Sequence, residues 1–236
     1  SVVVVKNQLD LLHRIFHTFN SHLYYHGTPI EQLQTLNRAA EFVQQTKELE
    51  TRFMNIVKRL KLAFDICSGS ESISETEKDE IHFYLAVRSI IYKLTKGTAP
   101  DASQMNEKVK TMIQEAIESE GVEEIFKLGE DEAQEIDLFS DDYLAKLDKI
   151  KLPNTKFKLL QKVLKQAIDR MKQVNKVMGI DFSKRLEAIV QKYNERKEGD
   201  VLRSEVLEDF TNEIIELYYA LKKENDSFQE LGIDIE

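Results

Sequence analysis

Apolar residues recur every three or four positions through most of the chain, the period of a helix with one buried face. Leu9, Leu12, Phe16, Phe19 and Leu23 open the pattern, and Gly27 closes it as a C′ residue. Thr28-Pro29-Ile30-Glu31 then starts a helix. Thr28 can cap, Pro29 suits the first helical position, and Glu31 completes a capping box. Leu33, Leu36, Ala40, Val43, Leu49, Phe53, Ile56, Leu60 and Phe64 continue one stripe to Ile66 with no Gly or Pro. The spacing predicts one very long helix over 29–66, spanning on the order of 50 Å. Phe42, Phe53 and Phe64 fall at equal intervals in it and read as core positions of a bundle.

Residues 67–74 form a polar loop, and Ser74 with Glu77 repeats the capping-box pattern. A helix then runs to about Lys96 on Phe83, Tyr84, Val87, Ile90, Ile91 and Leu94. Gly97 and Pro100 break the chain before a helix over 102–119. The weakly periodic, acidic residues 121–142 read as a linker or hinge. Ser140 caps a short helix over 141–150, and Pro153-Asn154 breaks it. Asn154 caps a helix reaching Val177, Gly179 ends that one, and Asp181 opens another to about Arg196. A final helix covers 201–225. Residues 2–5 read as a β-prone stub ending a preceding segment. The expected fold is all-α: an elongated multi-helix bundle of roughly seven to eight helices, one very long. Its parts are 1–5, a helical part 6–120, the acidic linker 121–142, and a helical part 143–236.

Composition sharpens this picture. Only 8 Gly and 3 Pro in 236 residues argue against a turn-rich β fold, and 42% apolar content suffices for a core. Cys67 stands alone, which fits a reducing cytosol. No apolar run of about 18 residues exists to span a membrane. The Ser-Val-Val-Val-Val start lacks both Met and a basic n-region, so the chain reads as a piece of something longer. Net charge is −9, where a free-standing DNA binder is usually basic. The charge is segmented: twelve carboxylates against Lys127 over 115–142, then ten Lys or Arg against Asp148 and Asp169 over 146–176.

No phosphate-binding Gly-rich loop, Gly-x-Ser-x-Gly or His-Glu-x-x-His is present, so no catalytic residue and no cofactor is assigned. His13 and His17 are spaced to chelate a metal from one helix face, and His22 with His26 repeats the interval. The plainer reading is polar positions beside a Leu/Phe stripe. The acidic residues of 123–132 lack the alternating oxygen ligands of a calcium loop and read as solvated. The lysines of 156–176 form either the solvated side of an amphipathic helix or a contact face for phosphates or an acidic partner. Lys162, Lys165, Lys172 and Lys176 are the partner-binding candidates. A DNA-binding helical module using 146–176 and a metal-binding helical protein using the early histidines are the alternative functions.

Two segments carry a resemblance. One is Ala39-Ala40-Glu41-Phe42-Val43, continuing through Phe53 and Leu60-Lys61-Leu62-Ala63-Phe64 to Ile81-His82-Phe83-Tyr84-Leu85-Ala86-Val87-Arg88. The other is Phe182-Ser183-Lys184-Arg185-Leu186, then Ile189 and Lys192-Tyr193-Asn194. Together they resemble the C-terminal helical region of the R (restriction and motor) subunit of type I restriction enzymes. The resemblance implies a non-catalytic, cytoplasmic domain that helps dock the subunit onto its methyltransferase (M) and specificity (S) partners. It implies that ATP, Mg2+ and DNA are handled by the parent enzyme, an ATP-dependent endonuclease, outside this segment.

Overall fold

The structure, a computed structural model, describes residues 1–96, 150–197 and 204–232, with residues 107, 145 and 199. It is all-α: the described residues form eight helices and no strand. The chain divides into two compact units, Ser1–Glu130 and Asp131–Glu236.

In the first unit the helices are α1 (Val2–Ile15), α2 (His22–His26), α3 (Pro29–Val43), α4 (Lys47–Cys67) and α5 (Glu75–Lys96). Residues 2–5 are not a strand-like stub. They form the first turn of α1, where Val5 is fully buried four residues before Leu9. Burial on a helical stripe outweighs the weak β preference of valine. The helix expected through 9–27 is two helices. α1 ends at Ile15, and the Phe19 N–H donates to the Phe16 carbonyl in a tight turn.

The long helix expected over 29–66 is also two. Thr46 is extended and its side chain accepts the Leu49 N–H at 3.1 Å, starting α4. Gln44 is fully buried and turns back to donate from Nε2 to the Ala40 carbonyl. The apolar stripe survives the break because α3 and α4 both pack on α5. Both capping boxes form, at Thr28/Glu31 and at Ser74/Glu77. Phe16 sits among the rings of Phe19, Phe42, Phe53, Phe83 and Tyr84 at centroid distances of 5.3–6.0 Å.

The second unit contains α6 (Pro153–Val174), α7 (Lys176–Glu195) and α8 (Ser204–Glu230), each packed on the other two. Phe157, Leu160, Leu164, Ile168 and Met171 of α6 meet Phe182, Leu186, Ile189 and Tyr193 of α7 and Ile214, Leu217 and Leu221 of α8 in the core. α6 ends at Val174, three residues before Val177, because Asn175 caps α7 by accepting the Met178 N–H. Gly179 is not a helix stop. It lies inside α7, where a Cβ would come within 2.5 Å of Lys172 Cγ and 2.8 Å of Lys172 N and Cα. Asn154 is not a cap either; it is the second residue of α6 and is buried in its first turn. The expected helices at 102–119 and 141–150 and the linker at 121–142 lie outside the described residues, apart from 107, 145 and 150.

Candidate docking groove

Residues 161, 165, 168, 169 and 172 share one face of α6, since spacings of three and four return to the same side of a helix. Residues 183, 186, 187, 190, 191 and 194 do the same on α7. Between these faces lies a groove of about 660 Å³. Its floor is Ile168, Leu186 and Val190, the first two buried. Lys165 and Lys172 stand on the α6 wall with Asp169, and Glu187 and Glu195 stand on the α7 wall. Such a groove has an apolar base between a largely basic edge and an acidic edge.

A polar chain crosses it. Lys172 Nζ lies 3.5 Å from Asp169 Oδ1 and donates to Ser183 Oγ at 3.3 Å. Ser183 Oγ in turn donates to Glu187 Oε1 at 3.4 Å. The Lys172 stem lies over Gly179, so the absent side chain at 179 is what lets the two helices close here. Asn194 also lines the groove, and its Oδ1 is buried with no hydrogen-bond donor among the described residues.

The structure puts the four lysines singled out from the sequence in different surroundings. Lys165 is exposed on the groove wall, and Lys172 is half-buried in the bridge to α7. Lys162 is half-buried and outside the groove lining. Lys176 is exposed at the start of α7, beside Val177, which is 81% exposed, and Ile180. Lys158, placed by periodicity on the solvated side, is buried with its ammonium 5.5 Å from the Tyr193 ring centre.

Sequence reasoning missed the cluster that sets the far end of the groove. Asn154 Oδ1 accepts from the Tyr193 hydroxyl and from Arg196 Nη2. Arg196 Nη1 donates to the Tyr193 carbonyl at 2.6 Å. The guanidinium lies 3.6 Å from the Tyr193 ring centre, and Phe157 stacks on the same tyrosine at 3.9 Å and 9°. The start of α6 is thereby fastened to the end of α7. The only sequence signal was Tyr193 and Arg196 one helical turn apart; Asn154 is 39 residues from its hydroxyl donor.

In the first unit His13 and His17 do not converge. His13 Nε2 lies 2.6 Å from Glu80 Oε2. His17 falls beyond the end of α1, with Nδ1 2.9 Å from the Arg14 carbonyl. No group of three or more metal-ligating side chains occurs among the described residues. Burial raises the Tyr24, Tyr25 and Tyr84 phenols well above their ordinary range, helped by the Asp79 or Glu80 carboxylates. Burial also lowers the His82 imidazole. No helix among the described residues is long and apolar enough to cross a membrane.

Two curated proteins are similar to the chain. One is the type I restriction enzyme HindI endonuclease subunit of Haemophilus influenzae, 26% identical over 64% of this chain. The other is the putative type I restriction enzyme MjaIXP endonuclease subunit of Methanocaldococcus jannaschii, 23% identical over 66% of it. The match spans 14% of each relative's own length. No solved structure matches. The family described as type I restriction enzyme HindI endonuclease subunit-like, C-terminal, matches residues 1–236. The chain therefore belongs to that family, the C-terminal region of a type I restriction endonuclease subunit.

Proposed function

We propose that this chain is the docking module of its endonuclease subunit, holding the subunit on the methyltransferase core through the α6–α7 groove. The observation that carries the reading is the pairing of an apolar floor with walls of opposite charge. The occupant that fits is an amphipathic helix of the methyltransferase subunit. Its apolar stripe lies on Ile168, Leu186 and Val190, its carboxylates face Lys165, and its cations face Glu187 and Glu195. The specificity subunit is reached through that core. ATP, Mg2+, DNA translocation and cleavage belong to the remainder of the subunit, and the assembly works in the cytoplasm. Direct nucleic-acid binding by 146–176 is less favoured, because burial withdraws Lys158 and the bridge to α7 occupies Lys172.

The test adds the 236-residue chain in trans to a reconstitution of the full complex. It is expected to compete with the intact subunit for the methyltransferase core and to reduce ATP-dependent cleavage, whereas the Lys165→Glu chain competes at least about tenfold less well. An excess of folded wild-type chain that leaves assembly unchanged contradicts the proposal.

A further inference from the structure

The structure separates the two histidine pairs that look equivalent in sequence. His13 and His17 turn to different partners, as described above. His22 and His26 instead lie within one helix, α2, with ring centroids 4.6 Å apart and ring planes tilted by 37°. Both residues are exposed, and neither imidazole takes a hydrogen bond from a described residue. The geometry points to a chelating site at His22 and His26 for a late first-row divalent ion such as Cu2+, Ni2+ or Zn2+.

Three features support it. First, imidazole nitrogens bind such ions at about 2.0–2.1 Å, so two ligands on adjacent coordination positions stand roughly 3 Å apart. Imidazoles whose ring centres are already 4.6 Å apart, one helical turn apart, can bring their nitrogens to that separation by side-chain rotation. Second, the short helix carrying them is held in place. Tyr24 is buried with its ring 4.8 Å from Phe83, and Gln32 Nε2 donates to the Tyr24 carbonyl. The His22 N–H donates to Asn20 Oδ1, and the Gly27 N–H to the Leu23 carbonyl. Little ordering entropy therefore remains for the metal to overcome. Third, the donor set is nitrogen alone, which favours ions that prefer imidazole over Mg2+ or Ca2+, whose ligands are oxygen. The two nitrogens fill part of the coordination sphere, and water completes it.

The four histidines supply their own control. Titration of the tag-free 236-residue chain with Cu2+, Ni2+, Zn2+ and Mg2+ by calorimetry, repeated with His22→Gln, His26→Gln, His13→Gln and His17→Gln, tests the site. Cu2+ is expected to bind most tightly, following the usual order of divalent affinities, and Mg2+ not at all. His22→Gln and His26→Gln each weaken Cu2+ binding at least about tenfold, while His13→Gln and His17→Gln change it less than about twofold. Loss of binding in the His13 or His17 variants instead overturns the inference. So does Cu2+ affinity that none of the four substitutions changes. Circular dichroism of each variant confirms that the fold is retained. The docking proposal rests on the other unit and stands or falls separately.

Discussion

The two units solve the same packing problem with different chemistry. The first closes its core with aromatic rings from α3, α4 and α5, gathered around Phe16 just past the end of α1. The second closes one end of its core with a polar knot of Asn154, Tyr193 and Arg196, in which one carboxamide oxygen accepts two hydrogen bonds. An aromatic core tolerates a missing neighbour in proportion to the volume lost. A buried polar knot fails as a unit, because each group left alone keeps its desolvation cost and loses its partner. The rigid spacing of α6 and α7 that the groove needs is thus held by directional bonds, and the first unit has no such requirement.

Substitutions can break that contrast, and the largest effect belongs to the rings. Phe53→Ala removes a fully buried side chain and is expected to cost about 3–5 kcal/mol in the unfolding of the first unit. Denaturant titration followed by near-ultraviolet circular dichroism measures it; a cost near that of a surface substitution contradicts the packing described.

Asn154→Ala comes next. It removes the oxygen that the Tyr193 hydroxyl and the Arg196 guanidinium share and is expected to cost about 2–4 kcal/mol in the second unit. Tyr193→Phe, which removes the donor and leaves the Arg196 bond to Asn154, is expected to cost less, about 1–2 kcal/mol. Equal costs would show that the knot does not act through the shared Asn154 oxygen.

Gly179→Ala is expected to destabilise the second unit by about 1–3 kcal/mol through overpacking against α6. Adding Lys172→Ala does not restore it, because the Lys172 backbone N and Cα are among the atoms met. Recovery in the double variant would show that only the flexible stem was in the way.

The smallest effect is electrostatic and lies in the first unit. The Ser74 N–H, and then the Lys6 ammonium, hold the Glu77 carboxyl below its ordinary value of 4.5. A depressed folded-state value means that Glu77 stabilises the fold above about pH 4.5, and that this contribution fades as pH falls further and the carboxyl protonates. Wild type is therefore expected to exceed Glu77→Gln in stability at pH 7 by under about 1 kcal/mol. Thermal unfolding from pH 7 to pH 3 follows the difference, which should shrink on acidification; a widening gap reverses the assigned sign.

Features encoded within a few residues were legible in the sequence. The boxes at Thr28/Glu31 and Ser74/Glu77 needed only the spacing of a side chain from a backbone N–H. Lys165 and Lys172 were visible as basic helix positions for the same reason. The break at 44–46 was hidden because periodicity reports which side is buried, and α3 and α4 bury theirs against a common neighbour. Thr46 with Glu48 and Glu50 was the local start signal inside the run. Gly179 was ambiguous, since a glycine serves a helix end or a close helix approach equally well. Asn154 was read by its neighbour Pro153, whereas its actual partners, Tyr193 and Arg196, lie at the end of the next helix and just past it. The acidic wall of the groove was invisible for the same reason: Glu187 and Glu195 acquire meaning only when α7 stands beside α6.

The central claim is that the opposed charges of that groove seat the methyltransferase core. The most direct measurement is the association rate of the full-length endonuclease subunit with that core at low and moderate salt, for wild type, Lys165→Glu, Glu187→Lys and the first-unit control Leu62→Lys. Leu62 is 56% exposed, so its substitution tests surface charge without touching the groove. Lys165→Glu and Glu187→Lys are each expected to slow association by about tenfold at low salt and less at moderate salt, because charge complementarity acts on encounter and is screened by ions. Leu62→Lys is expected to associate at the wild-type rate. Folded groove variants that assemble as fast as wild type in both salts contradict the account.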